Sequence, residues 1–569
     1  MTPPKNALSE VFFDAARRST PATEQAREDQ VRNNQGGFVF EIDDMERAKR
    51  FLILGSEKSF YQAGGKLSLE NAETLSRLAK SDRAAELVNL IVDVSVSGRA
   101  PKQSPGLFAL AVVINQAEDT AIKGYAYSKL SEVARTASTL FEFTKYLSQF
   151  QQLGGMGFQK AVGRWYNEKE LDSLAYQMVK YRQREGFDHS RLLRLSKRVK
   201  SKDRPELAPL LDWALGKPVN NILPLMTYAE AIDGDSYEYV NGLPEVNWLK
   251  LPKVVQGYEV AKKANLKDIP QIIRDFGLSW EMLPTEALND RKVWDALLDG
   301  NVPLGALIRQ LPRLTNLGII EQLGGRTAEI EDRLRDREAL RKARIHPLQA
   351  LVAMRTYGSG HGMSQIWTPV NRIVDALEDS FYASFDFVEP TNKTHMLALD
   401  LSASMTWQNV AGMPITPREA SACMAMVQAR IEREYLLTGF SGGYGYGAHN
   451  PMIQLDISRN SRLTDVVREI KSKPAGGTNL SLPMEAAIEQ KLPVDAFVVY
   501  TDNELGIGRR HPFQALAAYR REMNKPEAKL IVVAMTATNF SIADPRDPGM
   551  LDVAGFDTAA PSLMAEFVR

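Results

Sequence analysis

The chain has 569 residues, 44% of them hydrophobic and 25% charged, which is too much chain for one core and ordinary for a globular protein, so two or more domains are expected. Lys+Arg and Asp+Glu each number 70, so bulk charge selects no partner, and any affinity for nucleic acid has to come from local patches. The only cysteine, Cys423, excludes an intramolecular disulfide and fits a reducing compartment. Met1 to Gln30 lacks the apolar core of a signal peptide, and no apolar run is long enough to span a bilayer. A soluble, cytoplasmic protein is expected.

Residues 1 to about 34 read as a loose polar tail, and Gln35-Gly-Gly-Phe-Val-Phe40 as the start of the ordered part. Apolar positions at i, i+3 and i+4, broken by Gly, Pro, Ser or Asp, predict helices over Met45–Leu54, Leu69–Leu78, Ala84–Ser95, Leu107–Ile114, Ala121–Ala134, Leu140–Phe150 and Leu171–Tyr181. Others are predicted over Val254–Ala264, Leu266–Phe276, Val293–Leu298, Pro303–Leu311 and Ala328–Ala343. Helices in such succession suggest a helical-repeat solenoid that curves into a concave surface or a ring. No clean repeat motif is present, so an irregular helical domain is the alternative.

After about Trp367 the pattern changes. Strands are predicted over His395–Leu401, Tyr435–Phe440, Ala496–Thr501 and Leu530–Met535, with helices near Pro417–Arg433, Leu463–Lys471, Pro483–Gln490 and Pro512–Glu522. Alternation of this kind predicts a doubly wound α/β domain with a parallel sheet, which binds ligands at the carboxyl ends of its strands. The expected architecture is multidomain: a tail over 1–34, an all-α part over 35–370 and an α/β part over 371–569.

The apolar run Met396 to Leu399 leads into Asp400, and Ser402 and Ser404 follow at alternate positions. A strand that ends in a carboxylate and two hydroxyls offers oxygen ligands for a hard cation such as Mg²⁺. Alone, the same residues could equally cap the next turn. Two later segments bear on the choice. Thr478 follows Gly476-Gly477 in a tight loop, and Asp502 sits at the carboxyl edge of the predicted strand Ala496–Thr501. Two carboxylates and three hydroxyls on one rim suffice for Mg²⁺ with water completing its shell.

The densest basic stretch is Met178–Arg204, with ten bases against three acids. Lys180 and Arg184 are four apart, and Arg191, Arg194 and Arg198 follow at i, i+3, i+7, so each set can share a helix face. Arg182 and Lys197 add charge, Lys160 and Arg164 form another i, i+4 pair, and Trp165, Tyr166, Tyr181 and His189 interleave rings. Cations with planar groups suit phosphate contact and base stacking; a solvated helix face is the plainer alternative. His346, His361, His395, His449 and His511 are scattered without zinc-ligand spacing, and no zinc site is expected.

The set Asp-x-Ser-x-Ser, loop threonine and later aspartate resembles the metal-ion-dependent adhesion site of von Willebrand factor A domains. That resemblance implies that Ser402, Ser404 and Thr478 contact the metal, that Asp400 and Asp502 act mainly through water, and that an open position awaits a partner's acidic group. Gln35-Gly-Gly-Phe-Val-Phe, Arg50-Phe-Leu with Gly55-Ser-Glu, Leu69-Glu-Asn-Ala-Glu, Trp165-Tyr-Asn-Glu-Lys169, His189-Ser-Arg-Leu-Leu-Arg-Leu-Ser196, Ala343-Arg-Ile-His-Pro347 and Gly360-His-Gly362 resemble the TROVE module. Pro474-Ala-Gly-Gly-Thr, Thr501-Asp-Asn-Glu, Ile542-Ala-Asp-Pro and Gly555-Phe-Asp-Thr558 continue the likeness. From about residue 30 to its end the chain resembles the Ro ribonucleoprotein autoantigen family, in its bacterial Rsr type.

The resemblance implies a monomeric ring of HEAT-like helical repeats closed by the A domain. It implies small noncoding Y RNAs on the outer basic surface, at Lys160, Arg164, Lys180, Arg182, Arg184, His189, Arg191, Arg194 and Lys197 as a group. It further implies single-stranded 3′ ends of misfolded RNAs in the central hole and cooperation with a 3′-to-5′ exoribonuclease, with neither DNA nor membrane as partner. Ser441-Gly-Gly-Tyr-Gly-Tyr-Gly-Ala448 replaces a shorter, more acidic segment of the animal proteins and reads as a hairpin tip. No base stands at a motif-defined position beside Asp400, so a non-catalytic role is expected. The alternatives are a metal-dependent protein-interaction adaptor and a Mg²⁺-dependent phosphohydrolase or nuclease.

Overall fold

Among the described residues from Asp44 to Ala383, helix follows helix because apolar residues recur at helical spacing and turn residues separate the runs. The computed structural model describes residues 19–55, 65–199, 204–217, 248–300, 302–362, 365–385, 387–407, 409–442 and 452–569, with 65–72 and 249 described by backbone alone. Lys200, Lys202, His449 and most of the segment 441–448 lie outside the described residues.

Several helices differ from their predicted extents for local reasons. Ala121–Ala134 is broken at Lys129 into Thr120–Ser128 and Leu130–Val133. Ala328–Ala343 divides into Gly325–Arg335 and Arg337–Ala343, because Asp336 leaves helical geometry and its side chain accepts from the Ala339 N–H to cap the second piece. The predicted Pro303–Leu311 runs on to Asn316 with Pro312 inside. Helices Met156–Asn167, His189–Ser196, Ala208–Ala214, Pro347–Gly358 and Asn371–Ala383 are additional. The last of these packs on Pro347–Gly358 and Gly325–Arg335. The helical part therefore ends after Ala383, beyond the boundary expected at 370.

The helical array returns to its own beginning. The His346 Nδ1 accepts from the Leu348 N–H at 3.1 Å, which leaves its Nε2–H to donate to the Arg99 carbonyl oxygen at 3.1 Å. Burial holds that imidazole down at about 4, so it stays neutral. Gln349 donates to the Pro101 carbonyl at 2.6 Å. The α/β domain then joins both ends. Arg50, 1% exposed, donates to the carbonyls of Thr538 and Phe540 and pairs with Asp552. Arg99 grips Asp557 with two bonds of 2.9 and 2.7 Å, and Arg355 pairs with Glu419 at 2.7 Å.

The strands in chain order are β1 Gln30–Arg32, β2 Phe38–Glu41, β3 Gln183–Arg184, β4 Phe187–Asp188, β5 His395–Asp400, β6 Tyr435–Phe440, β7 Met452–Gln454, β8 Ala496–Thr501, β9 Lys529–Ala534, β10 Phe540–Ser541 and β11 Met550–Ala554. The main sheet has the order β11-β9-β8-β5-β6-β7. It is mixed: β7 runs antiparallel to β6 at one edge, while the other five strands are parallel. The two edge strands escaped the sequence reading because three residues show no alternation and Asp552 interrupts the apolar run of β11.

β5 and β8 are buried on both faces. Leu397, Leu399, Val498 and Tyr500 face the core shared with the helical array, and Met396, Ala398, Phe497 and Val499 face a second core. Two-sided burial explains their near-continuous apolar runs.

Residues 19–34 are not the loose tail expected of them; with 35–41 they fold onto the α/β domain. β2 pairs with β1 and with β10, which makes a three-stranded sheet on the second core. Ala22, Val39 and Phe40 are buried there, and Arg27 is buried between Asp29 and Asp544. The polar composition misleads because these charges are matched by residues more than five hundred positions away.

Candidate functional site

Strand order reverses at β5, whose neighbours are β6 and β8, so the carboxyl ends of β5 and β8 flank the crevice where such sheets bind ligands. Register places Leu399 beside Tyr500. One residue on, Thr501 donates its hydroxyl to Asp400 Oδ2 at 2.7 Å, and the Ser402 N–H donates to Asp400 Oδ1 at 2.9 Å. A 3₁₀ turn over Ala403–Thr406 then brings Ser404 Oγ within 3.1 Å of Ser402 Oγ.

The threonine loop docks on this turn through its backbone. The Ala403 N–H donates to the Gly476 carbonyl at 3.1 Å, and Gly442 and Gly477 exchange bonds of 2.6 and 2.7 Å. A Cβ on Gly476 would lie 2.6 Å from the Gly442 carbonyl oxygen, which the paired backbone cannot move away, so only glycine permits the approach. The Thr478 carbonyl accepts from the N–H groups of Gly506 and Ile507 at 3.2 and 3.0 Å, which ties this loop to the segment after Asp502. The segments that carry all five expected residues are thereby brought together, and each residue is at most 3% exposed.

Two of their oxygens are left over. Thr478 Oγ1 and Asp502 Oδ2 are buried without a hydrogen-bond partner, an arrangement that costs free energy unless something else occupies them. Charge is only partly compensated: the buried Arg418 guanidinium acts to lower the pKa of Asp400, and burial outweighs it. Burial lifts the Asp400 carboxyl above its ordinary range; burial and the facing charges of Asp400 and Glu504 lift Asp502 well above it. Burial raises Glu504 to about 7, while Asn34 and Gln35 donate to its two oxygens at 2.6 and 3.3 Å. Among the described residues no three His, Cys, Asp or Glu are grouped to hold a metal; this set combines two carboxylates with hydroxyls, a donor chemistry that fits a hard cation. Glu504, Asn34 and Gln35 were missed by the sequence reading. The last two lie some 470 positions from Glu504, and although Gln35 opens the stretch Gln35-Gly-Gly-Phe-Val-Phe40, nothing in that stretch points to the carboxyl ends of β5 and β8.

The basic residues divide by burial. Helices Met156–Asn167 and His189–Ser196 pack side by side. They expose Lys160, Arg164, Arg191 and Arg194, with Lys197 just beyond the second helix. Among the described residues Lys160, Arg194 and Lys197 have no ion-pair partner within 4 Å, whereas Arg164 lies 3.7 Å from Glu168. Arg191 stacks over Phe187 at 4.2 Å. Arg184 is exposed beside Glu142 and Glu185, and Arg182 is exposed over Tyr258 at 5.1 Å.

Two residues face inward instead. Lys180 has an 8% exposed side chain that pairs with Glu281 at 3.4 Å. His189 is 4% exposed, with Nδ1 2.7 Å from the Tyr166 hydroxyl and Nε2 3.1 Å from the Tyr181 carbonyl oxygen. Burial lowers its pKa to about 4. With both ring nitrogens engaged it holds its helix in place, and the surface contact expected of it does not fit this geometry.

The family description "TROVE domain" matches residues 31–219 and 276–359, and "Ro60 vWA domain" matches 394–568. The chain is similar to "RNA-binding protein RO60" of Deinococcus radiodurans, 36% identical over 557 aligned positions that cover 96% of this chain and 97% of that protein. It is similar to the protein of the same name in Caenorhabditis elegans, 32% identical over 601 positions covering 96% and 91%. The crystal structure of the Deinococcus radiodurans RO (RSR) protein matches with a TM-score of 0.63 at 34% identity, covering 93% of this chain and 99% of that one.

Proposed function

The chain belongs to the Ro60 family of RNA-binding proteins, and on that premise we propose that it is a non-catalytic RNA-binding ring. In this reading it takes small noncoding Y RNAs on its outer basic surface and single-stranded 3′ ends of misfolded RNAs in its central hole. It works beside a 3′-to-5′ exoribonuclease in cytoplasmic RNA quality control.

The observation that carries the reading is the exposed trio Lys160, Arg194 and Lys197, on or beside two packed helices and without an acidic partner among the described residues. Cations that break no ion pair on binding gain the full release of counterions from phosphate. Arg164, Arg191, Arg182 and Arg184 extend the same surface. The test is anisotropy of a labelled duplex with a 3′ single strand, titrated across salt. Log affinity is expected to fall linearly with log salt by about 0.9 per phosphate neutralised, and charge reversal of the trio is expected to lower both affinity and slope. Affinity that ignores salt and survives the reversal refutes the reading.

Within the A domain we read Asp400, Ser402, Ser404, Thr478 and Asp502 as the holders of Mg²⁺ or another hard divalent cation, and the partnerless Thr478 Oγ1 and Asp502 Oδ2 support this. The cation would offset the crowded acids and give an acidic partner protein a point of attachment. Glu504 is the acid nearby with a pKa suited to base work, but the Asn33–Gly37 turn donates to both of its oxygens. Docking therefore fits this site better than hydrolysis. Cleavage of RNA incubated with the protein and Mg²⁺, abolished by Asp400→Ala, would reverse that choice.

A further inference from the structure

The turn Asn33–Gly37 reaches the A-domain site from the far end of the chain. Asn33 Nδ2 donates to the Leu505 carbonyl at 2.9 Å, and the Gly37 N–H donates to the same oxygen at 3.0 Å. A Cβ on Gly37 would lie 2.1 Å from that oxygen, so the turn sits as close as two backbones allow. Asn34 and the Gln35 N–H hold Glu504, two residues after Asp502. The Gln35 carboxamide goes further and donates from Nε2 to Ser404 Oγ at 3.4 Å. It thus brings a side chain from outside the A domain onto one of the five expected holders, all of which are at most 3% exposed with the turn in place.

We propose that Gln35 is an in-chain stand-in for the acidic partner: its carboxamide covers the approach to Ser404 that a partner's carboxylate would use. The site accepts that partner when the Asn33–Gly37 turn lifts away. This rests on the metal reading above. A carboxamide has the shape of a carboxylate without its charge, so it covers a cation site while leaving the cation's charge unanswered. An incoming carboxylate makes the stronger, charge-assisted contact and displaces it. Glutamine at position 35 is on this account a removable plug, and glutamate there would be a permanent one.

The test uses the full chain with Mn²⁺ as the probe metal and acetate as the probe carboxylate, read by water-proton relaxation of bound Mn²⁺, on wild type, Gln35→Ala, Gln35→Glu and Asp400→Ala. Gln35→Ala is expected to bind acetate about fivefold more tightly than wild type, the effect of removing one neutral hydrogen-bonded competitor. Gln35→Glu, which keeps the shape of the side chain, is expected to bind Mn²⁺ more tightly and to lose its response to acetate. Equal acetate affinity in wild type and Gln35→Ala, with Mn²⁺ bound by both, overturns the stand-in role and leaves the metal reading intact. An unaltered acetate response in Gln35→Glu does the same. Mn²⁺ binding by wild type no better than by Asp400→Ala overturns the metal reading and the stand-in role together.

Discussion

Glu504 makes the stability of the A domain depend on pH in a direction opposite to that of most carboxylates. It is 3% exposed, and burial raises its pKa from 4.5 to about 7. A group whose pKa is higher in the folded than in the unfolded chain stabilises the fold fully below the unfolded value, and that contribution is lost as pH rises through the folded one. A difference of this size corresponds to about 3 kcal/mol at 1.36 kcal/mol per unit. The perturbation is Glu504→Gln, which keeps one acceptor oxygen for the Asn33–Gly37 turn and removes the charge. Facing a donor amide towards a donor N–H costs about 1 kcal/mol at every pH, so the variant is offset from wild type but flatter. The assay is urea unfolding followed by A-domain tryptophan fluorescence from pH 4 to 8 with a chelator present. Wild type is expected to lose about 3 kcal/mol more than the variant across that range, and Mg²⁺ is expected to shrink the loss. Parallel curves for the two proteins would refute the reasoning.

Thermal unfolding of wild type should rise in the presence of Mg²⁺, by about 2.7 kcal/mol of stabilisation at a hundred times the dissociation constant, whereas Asp400→Ala and Asp502→Ala should not respond. Replacing Lys160 and Arg194 by glutamate should reduce the slope of log affinity for RNA against log salt by about one for each phosphate left without its cation; an unchanged slope means that neither touches phosphate. His189→Ala should lower stability by about 2 kcal/mol, because the buried Tyr166 hydroxyl loses its partner. With an imidazole pKa near 4, the same variant should leave the pH dependence of RNA binding between 5 and 7 as it was. Asp557→Asn should cost about 3 kcal/mol by breaking the Arg99 grip that ties the helical array to the A domain; hydrogen exchange in helix Ala84–Ser97 is the local measure.

What the amino-acid sequence determined by itself are the features written in short stretches. β5 and β8 were legible because strands buried on both faces need continuous apolar runs, and the Asp400 site because a strand end and one turn bring Asp400, Ser402 and Ser404 together with no help from elsewhere. The helices were legible where one face is apolar, and the positive charge of 178–204 could be counted directly. Other features needed the whole tertiary structure. Helical spacing says which residues share a face but not which face is covered, so His189 and Lys180 read like Arg191 and Arg194 until their helices found neighbours. β7 and β11 are defined by the strands they join rather than by their own pattern. The segment 19–34 is mostly polar and is ordered, together with the apolar Phe38–Phe40 that follows, by partners at the opposite end of the chain, in β10, Asp544 and Glu504. Its burial depends on pairings that close a loop of nearly the full chain, and no local window of sequence holds both sides of such a pairing.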